Sequence, residues 1–199
     1  MLSVVVQAGG QSSRMGRDKA LVQLAGLPMI QHVLARLVGL GDETLVTTNN
    51  PDALEFLGLP LIPDEEPGAG ALWGLRTALR AARGNAVLVV ACDMPFVNRL
   101  LLEHLIALSP KADVVVPRWN DRYQTMQSVY ARKKCLSAVE DALDRGERRM
   151  ISFYPHVKVR IVSPEDVAEF DPKGRSFFNV NTPEELLEAE RFLAQARGS

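Results

Sequence analysis

Two hydrophobic patterns alternate along the chain: short, largely apolar runs, and longer segments in which apolar residues recur every three or four positions. The short runs predict strands at residues 2–7, 44–48, 59–62, 86–91, 113–116, 128–131 and 157–161. The periodic segments predict helices that start at Pro28, near 72–82, near 100–108, near 136–143 and at Thr182-Pro183. Apolar strands are typical of a parallel sheet covered on both faces. We therefore predict an α/β fold, a three-layer, doubly wound, mostly parallel and Rossmann-like sheet, in one domain over residues 1–199.

The same pattern predicts where a ligand would bind. In doubly wound sheets, ligands lie beyond the carboxyl ends of the strands. Residues 8–19, 64–74 and 92–96 each follow a predicted strand. We expect these three segments to meet at one edge of the sheet.

Composition narrows the class of protein. The 199 residues carry a formal net charge of −1 without a block of Lys or Arg, which argues against extended contact with nucleic acid. No apolar run approaches the roughly 20 residues that a membrane span needs, and the start of the chain lacks a basic signal-peptide region. Cys92 and Cys135 show no metal-ligand spacing. We expect a protein of the cytoplasm that interacts with neither membranes nor nucleic acid.

The segment after the first predicted strand is the strongest chemical signal. Gly9 and Gly10 let the backbone approach a ligand closely, and Arg14, Arg17 and Lys19 add cations that could hold phosphates. The loop lacks the Gly-Lys-Ser/Thr ending of a P-loop and the Gly-x-Gly-x-x-Gly of a dinucleotide fingerprint. An ordinary basic surface loop is the alternative, and the position of the glycines directly after a buried strand weighs against it.

Carboxylates and amides follow other predicted strands. Asp93 comes directly after the strand at 86–91, where a carboxylate is well placed to hold Mg²⁺, although a turn or a helix cap explains such a residue as well. Asp64 presents the same two alternatives. Asn179 and Asn181 precede the last predicted helix, and Asn179 needs a partner for its amide at the end of an apolar segment. No arrangement of histidines indicates a hydrolase.

Together these motifs resemble the molybdenum cofactor guanylyltransferases, a family within the nucleotidyltransferase superfamily. The family's first loop has the form Leu-Ala-Gly-Gly-x-Ser-x-Arg-Met-Gly-x-Asp-Lys and corresponds to residues 7–19. Cys-Asp-x-Pro-Phe corresponds to residues 92–96, Gly-Glu-Arg-Arg to 146–149, and Asn-Val-Asn-Thr-Pro-Glu to 179–184. The match runs in order over residues 4–187. The first loop alone indicates the superfamily, and the later motifs indicate the guanylyl branch.

The resemblance assigns roles to individual residues. It implies nucleotide binding by a set comprising Gln7, Ala8, Gly9, Gly10, Lys19, Asn49, Asp64 and Asp93. It implies catalysis by Arg14, Lys19 and Asp93, with Asp93 as the Mg²⁺ ligand. It places Asn179 and Asn181 near the metal or the acceptor. Gln7 stands where the family usually has Leu, which matters little if only the backbone is used. Thr47 stands where some relatives have a nucleoside-contacting Asn, and Asn49 follows two residues later.

The resemblance also implies a reaction: transfer of GMP from GTP onto the terminal phosphate of molybdopterin, with or without its molybdenum, releasing pyrophosphate. We expect Mg²⁺ as the cofactor, and a monomer that makes transient contacts with proteins delivering or receiving the cofactor. The nearest alternative is a cytidylyltransferase of the same fold that acts on molybdopterin or another small phosphorylated acceptor. A dinucleotide-dependent oxidoreductase and an inactive nucleotide-binding module are more distant alternatives. The first lacks its fingerprint, and the second is disfavoured because Lys19 and Asp93 are both present.

Overall fold

The computed structural model describes residues 1–9 and 18–197. The strands are β1 Leu2–Ala8, β2 Gln23–Leu24, β3 Leu27–Pro28, β4 Glu43–Thr48, β5 Leu61–Pro63, β6 Ala86–Ala91, β7 Val114–Trp119, β8 Arg122–Tyr123, β9 Gln127–Ala131 and β10 Val159–Val162. The α-helices are α1 Met29–Leu37, α2 Ala71–Ala81, α3 Arg99–Leu108, α4 Arg132–Asp144, α5 Pro164–Ala168 and α6 Pro183–Arg197.

The main sheet has the strand order β10-β7-β9-β6-β1-β4-β5, and β8 pairs with β7 outside this path. Strands β6, β1, β4 and β5 are parallel, as are β10 and β7, whereas β9 runs antiparallel to both of its neighbours. Residues 120–126 connect β7 to β9, which is too short for the crossover of about a dozen residues that parallel neighbours need. The prediction of a mostly parallel sheet is therefore confirmed, with β9 and the short strand β8 running antiparallel to their neighbours.

Helices cover both faces of the sheet, as predicted. Alternate residues of β1 point to opposite faces. Val4 and Val6 are buried with residues of α1 and α3, and Val5 is buried with residues of α2 and α4. All three valines are fully buried. The sheet thus lies between two apolar cores, and the three-layer architecture is confirmed.

A third, smaller cluster joins α6 to the region around β2. Phe96, Phe178 and Phe192 pack with ring centroids 5.4–6.2 Å apart. Leu24 and Val180 are buried in the same cluster. Because Phe96 and Val180 belong to the segments around Asp93 and Asn181, this packing fixes the C-terminal segment against the segment that follows β6.

Several element boundaries differ from the predictions. Pro28 ends β3 and caps α1 rather than occupying its first turn, and α1 ends at Leu37 because Val38 is extended. Helix α4 begins at Arg132, four residues before the first predicted one, since the polar residues of its first turn add nothing to the apolar period.

Cys92 and Cys135 are free and buried. Within residues 1–9 and 18–197, no helix has the length and apolar character needed to cross a bilayer.

Candidate functional site

A cleft of about 320 Å³ opens at the carboxyl ends of β1, β4 and β6, beside the start of α2. Its lining includes Ala8, Gly9 and Lys19 from the first predicted segment, Asp64 from the second and Asp93 from the third. The structure therefore brings together the three segments that the sequence predicts to meet.

Lys19 is held at the cleft by its neighbours. Asp18 caps the short 3₁₀ helix at Lys19–Leu21 by accepting a hydrogen bond from the backbone N–H of Ala20 at 3.0 Å. The Lys19 ammonium donates to Oδ1 of Asn181 at 2.5 Å and contacts Oδ2 of Asp93 at 3.4 Å. We call Lys19, Asp93 and Asn181 the charged cluster. It joins residues from three distant parts of the sequence around one ammonium group.

The Asp93 carboxylate is mostly buried, with 16% of its side chain exposed. Burial raises its pKa, and the neighbouring Lys19 ammonium only partly offsets that effect. The second carboxylate oxygen, Oδ1, is buried and has no hydrogen-bond partner among the described residues. An unsatisfied carboxylate oxygen of this kind suits a hard cation, and Mg²⁺ typically takes one or two carboxylates together with phosphates and water. Asp93 therefore fits the role of a Mg²⁺ ligand.

The C-terminal segment reaches the site through backbone contacts and a helix cap. The N–H of Val180 donates to the carbonyl of Asp93 at 2.9 Å. Thr182 and Glu185 form a capping box at the start of α6, with each side chain accepting from the other residue's N–H at 3.0–3.2 Å. Asn179 lines the cleft, and its amide donates to the carbonyl of Phe177 at 3.2 Å. The predicted partner for the Asn179 amide is thus a backbone carbonyl of its own segment.

Gly9 and Asp64 touch across the mouth of the cleft. A Cβ atom on Gly9 would lie 1.8 Å from Oδ2 of Asp64, so no side chain can be accommodated there without displacing that carboxylate. Burial raises the pKa of Asp64, and its Oδ1 has no partner among the described residues. Asn49 lies at the exposed end of β4 and donates to the Gly9 carbonyl at 3.3 Å. Among the described residues, Thr47 lines the cleft and Asn49 does not.

Three neutral side chains also line the cleft: Gln7, to which the resemblance gave a backbone role, Thr47 and Trp73. We call them the neutral set. Each has a buried side-chain nitrogen or oxygen with no hydrogen-bond partner among the described residues. For Gln7 the sequence does carry a signal, since it directly follows three valines, whereas Thr47 lies in a strand with other polar residues at positions 43, 44 and 48. Gly10, Arg14 and Arg17 lie outside the described residues.

The fold and the site together define a class. A glycine backbone, a lysine and a buried carboxylate converge beyond the carboxyl ends of parallel strands, which is where α/β proteins bind phosphorylated ligands. The arrangement suits a nucleotide-binding transferase that aligns phosphates and neutralises their charge.

Comparison with known proteins identifies the family. Residues 4–159 match the family model described as the MobA-like NTP transferase domain. The probable molybdenum cofactor guanylyltransferase of Pelotomaculum thermopropionicum is 37% identical over 193 residues, covering 97% of this chain and 94% of that protein. The chain belongs to the MobA-like nucleotidyltransferase family. The resemblance noted in the sequence is thereby confirmed.

Solved structures agree with this assignment. Molybdopterin-guanine dinucleotide biosynthesis protein A from Archaeoglobus fulgidus superposes with a TM-score of 0.82 at 29% identity, covering 97% of this chain and 99% of that one. The 2-C-methyl-D-erythritol 4-phosphate cytidylyltransferase from Thermus thermophilus superposes with a TM-score of 0.71 at 19% identity, covering 96% and 98%. The second similarity shows a shared fold and nothing about the substrate.

Proposed function

We propose that this enzyme transfers GMP from GTP to the terminal phosphate of molybdopterin, releasing pyrophosphate and forming the guanine dinucleotide form of the cofactor. The observation that carries this proposal is the charged cluster, in which Lys19 bridges Asp93 and Asn181 at the cleft. It is supported by family membership and by relatives named as guanylyltransferases.

In the proposed reaction, an oxygen of the acceptor phosphate attacks the α-phosphorus of GTP. A bond forms between these two atoms, and the bond to the β-phosphate breaks, so pyrophosphate leaves with the electron pair. A phosphate monoester is already anionic at neutral pH, and no general base is needed. Catalysis then consists of aligning the reactants and neutralising their charge.

The residues of the charged cluster suit that task. The Lys19 ammonium is fixed by Asn181, so it is oriented before any ligand binds and can offset the charge that builds on the departing pyrophosphate. We propose that Arg14, on sequence grounds alone, adds a second cation. Gly9 lines the cleft with no side chain, so its backbone can approach the nucleotide. We propose that Asp64, which lines the same cleft, holds the nucleoside.

We further propose that Mg²⁺ is the cofactor and that Asp93 is its protein ligand. The argument is the buried, unsatisfied Oδ1 of this carboxylate, with Asn179 lining the same cleft as a further oxygen donor. When bound, Mg²⁺ would neutralise charge on the reacting phosphates. We place the reaction in the cytoplasm, where GTP is available, and we expect the enzyme to act as a monomer with transient protein contacts.

The choice of base separates this proposal from its nearest alternative, a cytidylyltransferase. Purified enzyme is incubated with molybdopterin, Mg²⁺ and GTP, CTP or ATP in separate reactions, and pyrophosphate release is followed. We expect release with GTP, and little with CTP or ATP, because buried groups left unpaired by the wrong base cost about 1–3 kcal/mol each. Faster release with CTP would replace guanylyl by cytidylyl transfer and preserve the reaction class.

A further inference from the structure

The neutral set differs from the carboxylates of the cleft because its buried, unpaired polar atoms belong to uncharged groups. Nε2 of Gln7, Oγ1 of Thr47 and Nε1 of Trp73 each lack a hydrogen-bond partner among the described residues. Thr47 is only 1% exposed. All three side chains line the same cleft as Lys19 and Asp93.

Sheet register places these groups side by side. Gln7 of β1 and Thr47 of β4 are cross-strand partners. Both point to the face that carries α2, because Val5 and Leu45, two residues earlier on each strand, are buried against that helix. Gln7 is also paired with Ala91 of β6, whose small side chain lines the cleft. The amide of Gln7 is therefore central in the sheet, with a hydroxyl on one side and little bulk on the other.

Helix α2 lies close to this amide where both line the cleft. A Cβ atom built on Gly74 would find Oε1 and Nε2 of Gln7 as its nearest neighbours, at 3.4 and 3.5 Å, which is ordinary van der Waals contact. The end of the Gln7 side chain therefore lies beside the backbone of α2 at the wall of the cleft. Trp73, the preceding residue, forms part of the wall, and its ring is covered on one side by the Arg76 guanidinium at 4.0 Å. The amide therefore borders the cleft together with Thr47 and Trp73, where the polar edge of a ligand can reach it.

Energetics argue that the unpaired amide has a use. Leaving a buried polar group without a hydrogen bond is unfavourable, and an apolar side chain of similar shape would avoid that cost. The three residues of β1 before Gln7, Val4 to Val6, are apolar and fully buried. Packing alone would therefore favour an apolar residue at position 7. A ligand that hydrogen-bonds to the amide accounts for the glutamine.

We propose that the side-chain amide of Gln7 recognises the polar edge of the nucleobase and is a specificity-determining residue of this enzyme. This inference rests on the proposed function, because it assigns the part of the cleft that Gln7 lines to the base of the nucleotide. A primary amide carries a donor and an acceptor side by side. That pair matches the O6 acceptor and the N1–H donor of guanine, so one amide can make two hydrogen bonds to that base.

The test replaces Gln7 by an apolar side chain of nearly the same shape, Gln7→Met. Affinities are measured by calorimetry for GTP, ITP, the triphosphate of 2-aminopurine riboside, and inorganic tripolyphosphate. ITP keeps O6 and N1–H, the 2-aminopurine nucleotide lacks both, and tripolyphosphate has no base. We expect binding of GTP and ITP to weaken about tenfold, as for loss of a buried hydrogen-bonding partner. Binding of the other two probes should be unchanged.

Thermal unfolding of the free protein gives an independent readout. If Gln7 were structural, its replacement would lower the melting temperature. We expect Gln7→Met to melt at the same or a higher temperature than the parent, because an unpaired polar group has been removed from the interior. Gln23→Met, an exposed glutamine on β2, serves as the matched control and should change neither affinity nor melting temperature.

The outcomes separate this inference from the proposed function. If Gln7→Met weakens the binding of all four probes equally, or if its affinity for GTP is within twofold of the parent's, the role of Gln7 is overturned even if the enzyme transfers GMP. If the parent prefers CTP, the proposed function fails. In that case the role of Gln7 stands if Gln7→Met weakens the binding of CTP and leaves the binding of tripolyphosphate unchanged, and it fails otherwise. A parent that binds no nucleotide would overturn both.

Discussion

The charged cluster and the neutral set line one cleft, yet they are organised in opposite ways. The Lys19 ammonium contacts both Asp93 and Asn181 within the protein. The polar atoms of Gln7 and Thr47 have no partner among the described residues. A buried charge without a counter-charge is very costly, whereas an unpaired amide or hydroxyl costs much less. The ammonium and the carboxylate of the charged cluster are therefore paired within the protein, whereas the polar atoms of the neutral set are left to be satisfied by a ligand.

The largest effect should come from removing the charge of the buried carboxylate. Asp93→Asn keeps the shape of the side chain, but an amide cannot replace a carboxylate as a Mg²⁺ ligand. We expect turnover to fall by about 10³-fold or more, which corresponds to roughly 4 kcal/mol in the transition state. Guanylyl transfer measured at saturating Mg²⁺ provides the check.

Its matched control is Asp121→Asn, a carboxylate in an exposed turn at positive φ that asparagine also tolerates. The control should retain parent activity, and circular dichroism should show both variants folded. Metal-dependent activity of Asp93→Asn within a few-fold of the parent would remove Asp93 from the proposed metal site.

Lys19→Ala removes the cation at the centre of the charged cluster. If the ammonium neutralises departing pyrophosphate, the rate should fall by roughly 10²–10³, in the range found for single electrostatic contacts in transition states. The loss should appear in kcat/KM. Lys111→Ala, a lysine of the short 3₁₀ helix after α3, is the control. Kinetics of Lys19→Ala that match this control would leave Lys19 with a structural role only.

A smaller effect is expected where Gly9 meets Asp64. In Gly9→Ala the new methyl group would occupy the position of the Asp64 carboxylate, 1.8 Å from Oδ2. Such overpacking typically costs about 1–3 kcal/mol. We expect GTP affinity to drop by about tenfold and the melting temperature to fall. Adding Asp64→Ala should restore the melting temperature without restoring affinity, and a double variant as unstable as Gly9→Ala would contradict the contact.

The smallest effect on activity should come from Glu43, a carboxylate outside the cleft whose bonds are all made within the protein. It accepts hydrogen bonds from Ser3 and Arg83 at 2.5–2.7 Å. Burial alone would raise the pKa of Glu43, but these bonds lower it from 4.5 to about 2. Its stabilisation is therefore complete above pH 4.5 and is lost as the pH falls toward 2.

We accordingly expect Glu43→Gln to be less stable than the parent at neutral pH and to lose less stability between pH 4.5 and pH 2. Guanylyl transfer by the folded variant at neutral pH should equal that of the parent. Denaturant unfolding at several pH values measures the free energy of unfolding of the variant and of the parent. Parallel pH profiles for the two proteins would show that the low pKa does not stabilise the fold.

Sequence patterns predicted the charged cluster better than the neutral set, for physical reasons. Asp93 and Lys19 follow apolar strands, and the topology of a parallel sheet brings such positions to one edge. The direction of a side chain within a strand depends on register and on the helix that covers it. For that reason Gln7 was assigned a backbone role and Asn49 was favoured over Thr47, although Thr47 is the one that lines the cleft.

For the fold, too, local features were predicted from the sequence and features that depend on distant contacts were not. Alternating strands and helices predicted the layers correctly, because apolar period and burial are local properties. The reversal of β9 was not predicted, since it depends on the short connection at residues 120–126, where Asn120 and Asp121 adopt positive φ. The contact between Lys19 and Asn181 spans 162 positions and follows from the packing of α6 rather than from any local pattern.

Isotope tracing tests the central claim most directly. The enzyme is incubated with molybdopterin, Mg²⁺ and GTP labelled either at the α- or at the γ-phosphorus, and the products are separated. Guanylyl transfer predicts that the α-label enters the dinucleotide product and that the γ-label leaves entirely as pyrophosphate. Label that remains in GDP or free phosphate with no dinucleotide formed, or a dinucleotide formed only from CTP, would contradict the assignment.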